Sequence, residues 1–249
     1  MTPLSPGPAP RRFNRKLVVA IGAVLVLAIA GGGFGLWYVL VGPAGPAAAA
    51  PVIPADANVA APASMNGTWT VNDTLGSVND ATASWVGYRV QEKLVGVGGH
   101  TAVGRTLKVT GSMTLNGSKV DTVSMTADLT ALASDDSLRD GQLHSQAIDT
   151  DQFPTATFKS AEPIDLGSLP ADGTIVSATA KGSLTIHGVT KSVDIPLQAM
   201  RKGGIIAVAG SLPIVFADYG FPGPTSFSVL TVDDHGTMEL HLLFTKSGS

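Results

Sequence analysis

The chain has 249 residues, enough for one or two domains, and a formal net charge of −3 at pH 7. Four of its 16 basic residues precede residue 17, so the rest of the chain carries 12 basic against 19 acidic residues, a balance that argues against a nucleic-acid partner. Because the chain has no cysteine, disulfide bonds, thiolate nucleophiles and cysteine-ligated metal centres are excluded.

The first predicted element is an uncharged apolar segment at residues 17–41, which is long enough to span a bilayer. Basic residues directly precede it: Arg11, Arg12, Arg15 and Lys16. Under the positive-inside rule, residues 1–16 form a cytoplasmic tail, residues 17–41 a single-pass anchor, and the remainder lies outside the membrane. Gly31 and Gly35 form a GxxxG pair that would let two anchors pack as a homodimer.

A cleaved secretory signal is the alternative interpretation of this segment. It is the weaker one, because the apolar core of a signal peptide is usually only about 7 to 15 residues long. Residues 42–65, which follow, are rich in Pro and Ala, with Asp56 their only charge. This composition predicts an extended linker without an apolar face to bury.

From residue 66 to residue 249 the dominant pattern is alternation of apolar and polar residues, which is typical of strands with one buried face. Residues 106–116 alternate throughout, Asn116 and Gly117 supply a hairpin turn, and residues 123–129 return with the same period. Further strands are predicted at residues 68–71, 84–90, 157–164, 174–186, 193–199, 205–216 and 238–244.

A helix-like interruption is predicted between Ser134 and Phe153, with Asp135 or Asp136 as its N-cap. The fold class is therefore all-β: an antiparallel barrel of about eight strands with a short helical insertion, or a two-sheet sandwich. Small residues on the apolar face, such as Ala178 and Gly182, are compatible with a cavity or with a filled barrel. An outer-membrane barrel would show the same alternation with its apolar face toward lipid, but the chain lacks aromatic girdles.

Three ordered motifs in this region resemble those of the YceI-like family. They are Arg139-Asp140-x-x-Leu143, Phe153-Pro154 with Phe158, and Gly182-x-Leu184-Thr185-x-His187-Gly188-Val189-Thr190. The resemblance covers most of residues 66–249. It implies a lipocalin-like barrel around an apolar tunnel for polyisoprenoid or other amphiphilic chains, in exported proteins.

Two segments depart from the family pattern. Residues 72–83 are expanded and residues 91–101 are rich in glycine, and both are expected to reshape the tunnel mouth. The predicted ligand-binding lining is the apolar parity set of the strands: Met113, Met125, Leu129, Val176, Ala178, Leu184, Ile195, Leu240 and Leu242.

The polar residues predict no catalytic site, no metal site and no cofactor. The five histidines are dispersed without an HExxH motif, no GxSxG elbow or phosphate-binding glycine motif is present, and His187 is interpreted as a turn residue. Arg139 and Asp140 have two interpretations. They bind a ligand head group, or they form a structural pair that anchors the helix across the barrel end.

The sequence thus predicts a membrane-anchored carrier that sequesters a polyisoprenoid or similar lipid in its barrel. The alternative is a structural or interaction module of the cell envelope, whose filled barrel binds a protein partner. An enzyme is the third and weakest interpretation, since no catalytic motif is found.

Overall fold

The computed structural model describes residues 50–78, 81–94, 98–221 and 229–247, and within these residues one antiparallel sheet is built from thirteen strands. Its strands are β1 (Gly67–Val71), β2 (Trp85–Leu94), β3 (Gly98–Thr106), β4 (Val109–Asn116), β5 (Lys119–Asp128), β6 (Ala133–Ser134), β7 (Thr155–Ser160), β8 (Ile164–Asp165), β9 (Ile175–Ile186), β10 (Val189–Lys202), β11 (Ile205–Val215), β12 (Val229–Val232) and β13 (His235–Lys246).

Eight of these strands close a barrel in the order β1, β4, β5, β7, β9, β10, β11, β13 and back to β1. The ring closes because β13 pairs with β11 through residues 235–245 and with β1 through residues 244–246. Residues 237–241 of β13 pair instead with β2, from which the β2–β3 hairpin extends. The prediction of an all-β antiparallel barrel of about eight strands is confirmed.

The apolar residues of the alternating strands face the barrel interior. The face that an outer-membrane barrel would turn to lipid is therefore the core here. Trp69 is fully buried in this core, and Leu184, Ile195 and Phe244 are each 3% exposed. The hairpin between β9 and β10 turns at His187 and Gly188, whose φ angles of +51° and +72° match a tight type I′ turn. His187 is thereby confirmed as a turn residue.

One short α-helix, α1 (Ser137–Gln142), lies in the predicted helical insertion, and a single π-helical turn at Leu143–Ala147 continues it. Asp136 caps α1 because its carboxylate accepts hydrogen bonds from the amides of Leu138 and Arg139, at 2.8 and 3.3 Å. We call the barrel end that carries α1 and the His187–Gly188 turn the helix end. The opposite end, with the Gly117 and Gly203 turns and residues 166–174, is the loop end.

Part of the predicted linker packs on the outer wall of the barrel, contrary to the expectation that it buries no apolar surface. Ile53 is 9% exposed and joins an outer cluster with Ile205, Ala207 and Leu243. The Val52 amide lies 3.1 Å from Nε2 of His241, whose Nδ1 is 2.9 Å from the Ala83 carbonyl oxygen. The segment can pack this way because Ile53 and its flanking prolines are themselves apolar and need no helix to cover a sheet face.

The predicted cytoplasmic tail, the anchor and the Gly31–Gly35 pair lie outside the described residues. Within the described part, no helix combines the length and hydropathy needed to cross a bilayer.

Candidate functional site

The barrel interior contains a cavity of ≈ 160 Å³. Its lining runs from the loop end, at Leu166 and Leu169, to the strand termini nearest the helix end, at Val109, Ala127 and Thr157. Its wall consists of aliphatic, methionine and phenylalanine side chains, with Thr157 and Arg201 as the polar exceptions. Such a surface offers burial of hydrocarbon and almost no hydrogen-bonding partner, so it selects ligands by apolar area and shape rather than by polar groups.

Eight of the nine residues predicted for the lining border this cavity: Met113, Met125, Val176, Ala178, Leu184, Ile195, Leu240 and Leu242. Leu129 does not. β5 ends at Asp128, whose carboxylate caps the following turn by accepting from the Thr130 amide at 2.9 Å, and this turn carries Leu129 out of the wall. Leu129 packs instead with Leu132 and Ile148 beside the helical insertion.

Methionine is concentrated on the cavity wall. Of the six methionines in the chain, all except Met1 line the cavity: Met65, Met113, Met125, Met200 and Met238. Methionine has an unbranched, polarisable side chain that adopts many rotamers, so it fills irregular gaps and yields to a new occupant at little cost. The wall can therefore change shape without movement of the strands.

The loop end of the cavity is bordered by residues that strand alternation did not identify. Leu166, Leu169 and Pro170, in the loop between β8 and β9, are part of the lining, as is Arg201 at the end of β10. Leu169 is 38% exposed, so the lining is continuous with the surface here. In the sequence, this loop shows only a pair of leucines in a turn-rich segment. Because the segment has no periodicity, its lining residues were missed.

Arg139 is engaged in ion pairs at the helix end. Its Nη2 lies 2.8 Å from Oε1 of Glu92 and its Nη1 lies 2.6 Å from Oδ1 of Asp135. Burial lowers the pKa of Arg139, but the two carboxylates outweigh burial and the pKa is raised overall. Asp140 accepts hydrogen bonds from the Ser134 amide and hydroxyl, at 3.0 and 2.6 Å. Both residues thus fasten α1 to the barrel through partners other than each other, which favours the structural interpretation.

Glu92 places a buried charge on the inward face of β2, the same face as Val86. Its side chain is 4% exposed, and Nε2 of His100, across the β2–β3 ladder, lies 3.9 Å from it. Tyr88 lies between Val86 and Glu92 on this face, and burial raises the pKa of its hydroxyl well above the usual range. The helix end therefore carries buried polar side chains beside the apolar cavity.

Among the described residues, no group of three or more histidine or carboxylate side chains is arranged to hold a metal ion. His187 packs against Phe153 with a ring-centroid distance of 4.4 Å, and its Nδ1 is 3.0 Å from the Tyr219 carbonyl oxygen. His241 is buried under the linker segment. These two histidines have structural surroundings.

A family model described as the YceI-like domain matches residues 78–244. The chain belongs to the YceI-like family. Among curated proteins, this YceI-like chain is 30% identical over 127 residues to a UPF0312 protein of Vibrio parahaemolyticus, and 30% identical over 130 residues to one of Vibrio vulnificus. Each alignment covers 48% of this chain and 60% of the relative, so the chain spans only part of the length of these proteins.

A solved structure described as a polyisoprenoid binding domain from Saccharophagus degradans, implicated in plant cell wall breakdown, has the same fold. It superposes with a TM-score of 0.54 at 19% identity, covering 72% of this YceI-like chain and 98% of the other. The resemblance indicated by the three motifs is thus confirmed at the level of family and fold.

The described residues of the two segments that depart from the family pattern, 72–83 and 91–101, are not part of the cavity lining. The expectation that they reshape the mouth is therefore wrong for these residues. In the first segment, the Asn72 side chain accepts from the amides of Thr74 and Leu75. In the second segment, residues 91–94 of β2 pair with residues 98–101 of β3 beside the helix end. We define the mouth as the exposed part of the lining at Leu169, in the loop between β8 and β9.

Proposed function

We propose that the chain is a membrane-anchored lipid-binding protein that holds a polyisoprenoid or similar long-chain amphiphile in the barrel cavity. The observation that carries this proposal is the cavity itself, which is enclosed by apolar side chains from most strands of the barrel. A filled barrel that serves only to bind a protein partner would have no reason to leave this space unpacked, because voids in a core cost stability.

The energy of burial is sufficient for such binding without polar contacts. Each methylene moved from water into an apolar site contributes about 0.8 kcal/mol, so six methylenes contribute roughly 5 kcal/mol before ordering costs. Specificity follows from cross-section and length rather than from hydrogen bonds. The ligand for which the Saccharophagus degradans domain is named, a polyisoprenoid, is of the same class.

The present volume sets a condition on the ligand. An apolar cavity of about 150 Å³ accommodates benzene, so a cavity of ≈ 160 Å³ holds only a short part of a polyisoprenoid chain. The rest of the chain requires the wall to yield or the ligand to extend through the loop end. The five methionines and the exposed Leu169 at the mouth provide these two routes.

The anchor and the location of the barrel belong to the same proposal. The uncharged segment 17–41 and the four basic residues before it support a single membrane span with the N-terminus in the cytoplasm and the barrel outside. Protease added to intact spheroplasts should digest the barrel. Protection of the barrel until the membrane is broken would contradict this orientation.

Native mass spectrometry of the full chain, after extraction in mild detergent, tests the lipid-binding proposal. We expect mass adducts that release an isoprenoid or another long-chain lipid on collisional activation, and lipid mass analysis then identifies it. A ligand-free barrel that also takes up no added polyprenol would contradict the proposal. A ligand-free barrel that retains a protein would favour the interaction module.

A further inference from the structure

We propose that the loop of residues 166–174 is a gate over the mouth of the cavity, and that Arg201 is the latch that holds it shut. This inference rests on the proposed lipid-binding function. It goes beyond that function because it identifies the route of entry and the residues that set the rate of exchange.

The loop is placed to block passage. Leu166, Leu169 and Pro170 contribute to the cavity lining, so a ligand entering at the loop end must displace them. In this loop, Leu166 and Pro170 are half-buried, and all the other residues up to Thr174 are exposed. Little apolar burial therefore opposes an outward movement of the loop, and low burial is typical of segments that open locally.

Arg201 and its neighbours make the contacts that hold the far side of the loop. Nε of Arg201 donates to the Pro170 carbonyl oxygen at 2.6 Å, and Nη1 pairs with the carboxylate of Asp172. The Arg201 carbonyl oxygen accepts from the Gly173 amide at 2.8 Å. The second oxygen of Asp172 accepts from the Gly203 amide at 3.2 Å, so one carboxylate joins the loop to the β10–β11 turn.

Glycines at both ends of the loop provide hinge positions. Gly167 and Gly173 have φ angles of +68° and +75°, which other residues rarely adopt, and open space surrounds the point where a Cβ would project from either residue. The near side is anchored by the Leu166 amide, which donates to the Ser118 carbonyl oxygen at 2.9 Å. A rotation at these glycines would lift Leu169 and Pro170 while Leu166 stays in place.

The ion pair between Arg201 and Asp172 can break and form again, as a gate requires. The Arg201 side chain is 25% exposed and the Asp172 side chain is 53% exposed, so solvent weakens their ion pair. Breaking it leaves no charge deep in the core. Exchange of ligand through the gate should therefore be faster when the latch is removed. Removal through Asp172, which does not line the cavity, should leave the equilibrium affinity nearly unchanged.

The test measures rates and affinity separately on the full chain in lipid nanodiscs, with all-trans-retinol as the apolar isoprenoid probe. Energy transfer from tryptophan reports bound retinol, and a Trp37→Phe background leaves Trp69, in the barrel core, and Trp85, at the start of β2, as donors. Transfer of retinol to acceptor vesicles gives the dissociation rate, and equilibrium titration gives the affinity.

We expect Arg201→Ala and Asp172→Asn each to raise the association and dissociation rates about tenfold, which corresponds to a barrier lower by about 1.4 kcal/mol. Asp172 does not line the cavity, so Asp172→Asn should change the affinity less than about twofold. Lys181→Ala is the control, because it breaks an ion pair with Glu162, at 3.2 Å, whose two side chains are 53% and 57% exposed. Its rates should equal those of the parent. Asp172→Asn alters an exposed loop side chain, so it preserves the test if Arg201→Ala fails to fold.

The outcomes separate the gate from the proposed function. Retinol binding by the parent with unchanged rates in the folded Asp172→Asn variant would overturn the gate alone. An equal loss of affinity without a gain in rates would show that Arg201 supports the wall rather than the gate, and would also overturn it. Absence of retinol binding in the parent chain would overturn both the gate and the proposed function.

Discussion

The two ends of the barrel are built from the same alternating strands yet differ in what fills them. Toward the loop end, the interior is lined by methionines and aliphatic residues around a void of ≈ 160 Å³. At the helix end, the inward face of β2 carries Glu92, which is paired at 2.8 Å with Arg139 of α1. The loop end therefore presents an exposed apolar side chain of the lining, Leu169, whereas the helix end carries a buried ion pair.

Both ends have the same strand period, so the period does not show which end can hold an apolar ligand. The polarity of the side chains inside the barrel does. Buried ion pairs are geometrically demanding and lose much of their energy when displaced, so they close an end firmly. Methionine and alanine surfaces yield to a new occupant at little cost. Ligand entry is accordingly expected at the loop end.

The substitution predicted to lower stability most is at the helix end. Glu92→Leu leaves Arg139, whose side chain is 17% exposed, with Asp135 as its remaining carboxylate partner among the ion pairs described. We expect the free energy of unfolding to fall by about 3 kcal/mol, because the mostly buried Arg139 charge then has only the half-exposed Asp135 carboxylate to compensate it. Urea unfolding of the full chain in detergent measures this.

Glu162→Leu is the control, since it breaks an exposed pair with Lys181 and should cost less than about 1 kcal/mol. Both variants should bind retinol with parental affinity. Equal destabilisation by the two substitutions would show that the ion pair does not stabilise the helix end.

The second predicted effect is a loss of ligand affinity when the cavity is filled. Ala178→Trp places an indole in the void, because Ala178 lines the cavity, and retinol affinity should fall at least about tenfold, or about 1.4 kcal/mol. Ser177→Trp adds the same side chain to the neighbouring, exposed position of β9. It should leave the affinity unchanged in the same titration. Unchanged affinity for a folded Ala178→Trp chain would contradict this lining.

The weakest predicted effect is on the pH dependence of stability, and it concerns His241, a buried group that is uncharged. Burial lowers the pKa of His241 below its ordinary value of 6.5, so the folded chain holds this imidazole neutral. As the pH falls below about 6.5, the unfolded chain gains a proton that the folded chain does not, and stability is lost until the pH reaches the folded pKa.

His241→Gln removes this titration. Urea unfolding between pH 7.5 and pH 5 should show the parent losing stability faster than the variant, by at most about 1.4 kcal/mol per pH unit. Other titrating groups are common to both chains, so the difference isolates His241. A difference in stability that stays constant over this range would contradict the assignment.

Much of the fold follows from the sequence for a simple reason. Alternation over long strands, as in 174–186, fixes both the strand and the face, and eight of nine lining residues follow from that parity. Leu129 departs because a single capping contact by Asp128 ends the strand, and parity does not detect such a local event. The loop of residues 166–174 has no period, so its role at the mouth emerges only from its contacts with Arg201.

Whether the barrel is hollow could not be predicted, because small residues such as Ala178 and Ala180 serve both tight packing and open space. The outer packing of Ile53 was missed for a related reason. An isolated apolar residue in a Pro/Ala-rich segment has no pattern, and its burial depends on a cluster of residues more than 140 positions away in sequence.

The most direct test of the central claim uses the five methionines of the cavity wall as reporters. The full chain is labelled with ¹³C at the methionine methyl groups, and its spectrum is recorded in nanodiscs before and after addition of retinol. If the cavity holds the isoprenoid chain, the resonances of the five lining methionines, assigned by single substitutions, should shift while that of Met1 stays unchanged. Saturable retinol binding without a shift of these five resonances would contradict the account.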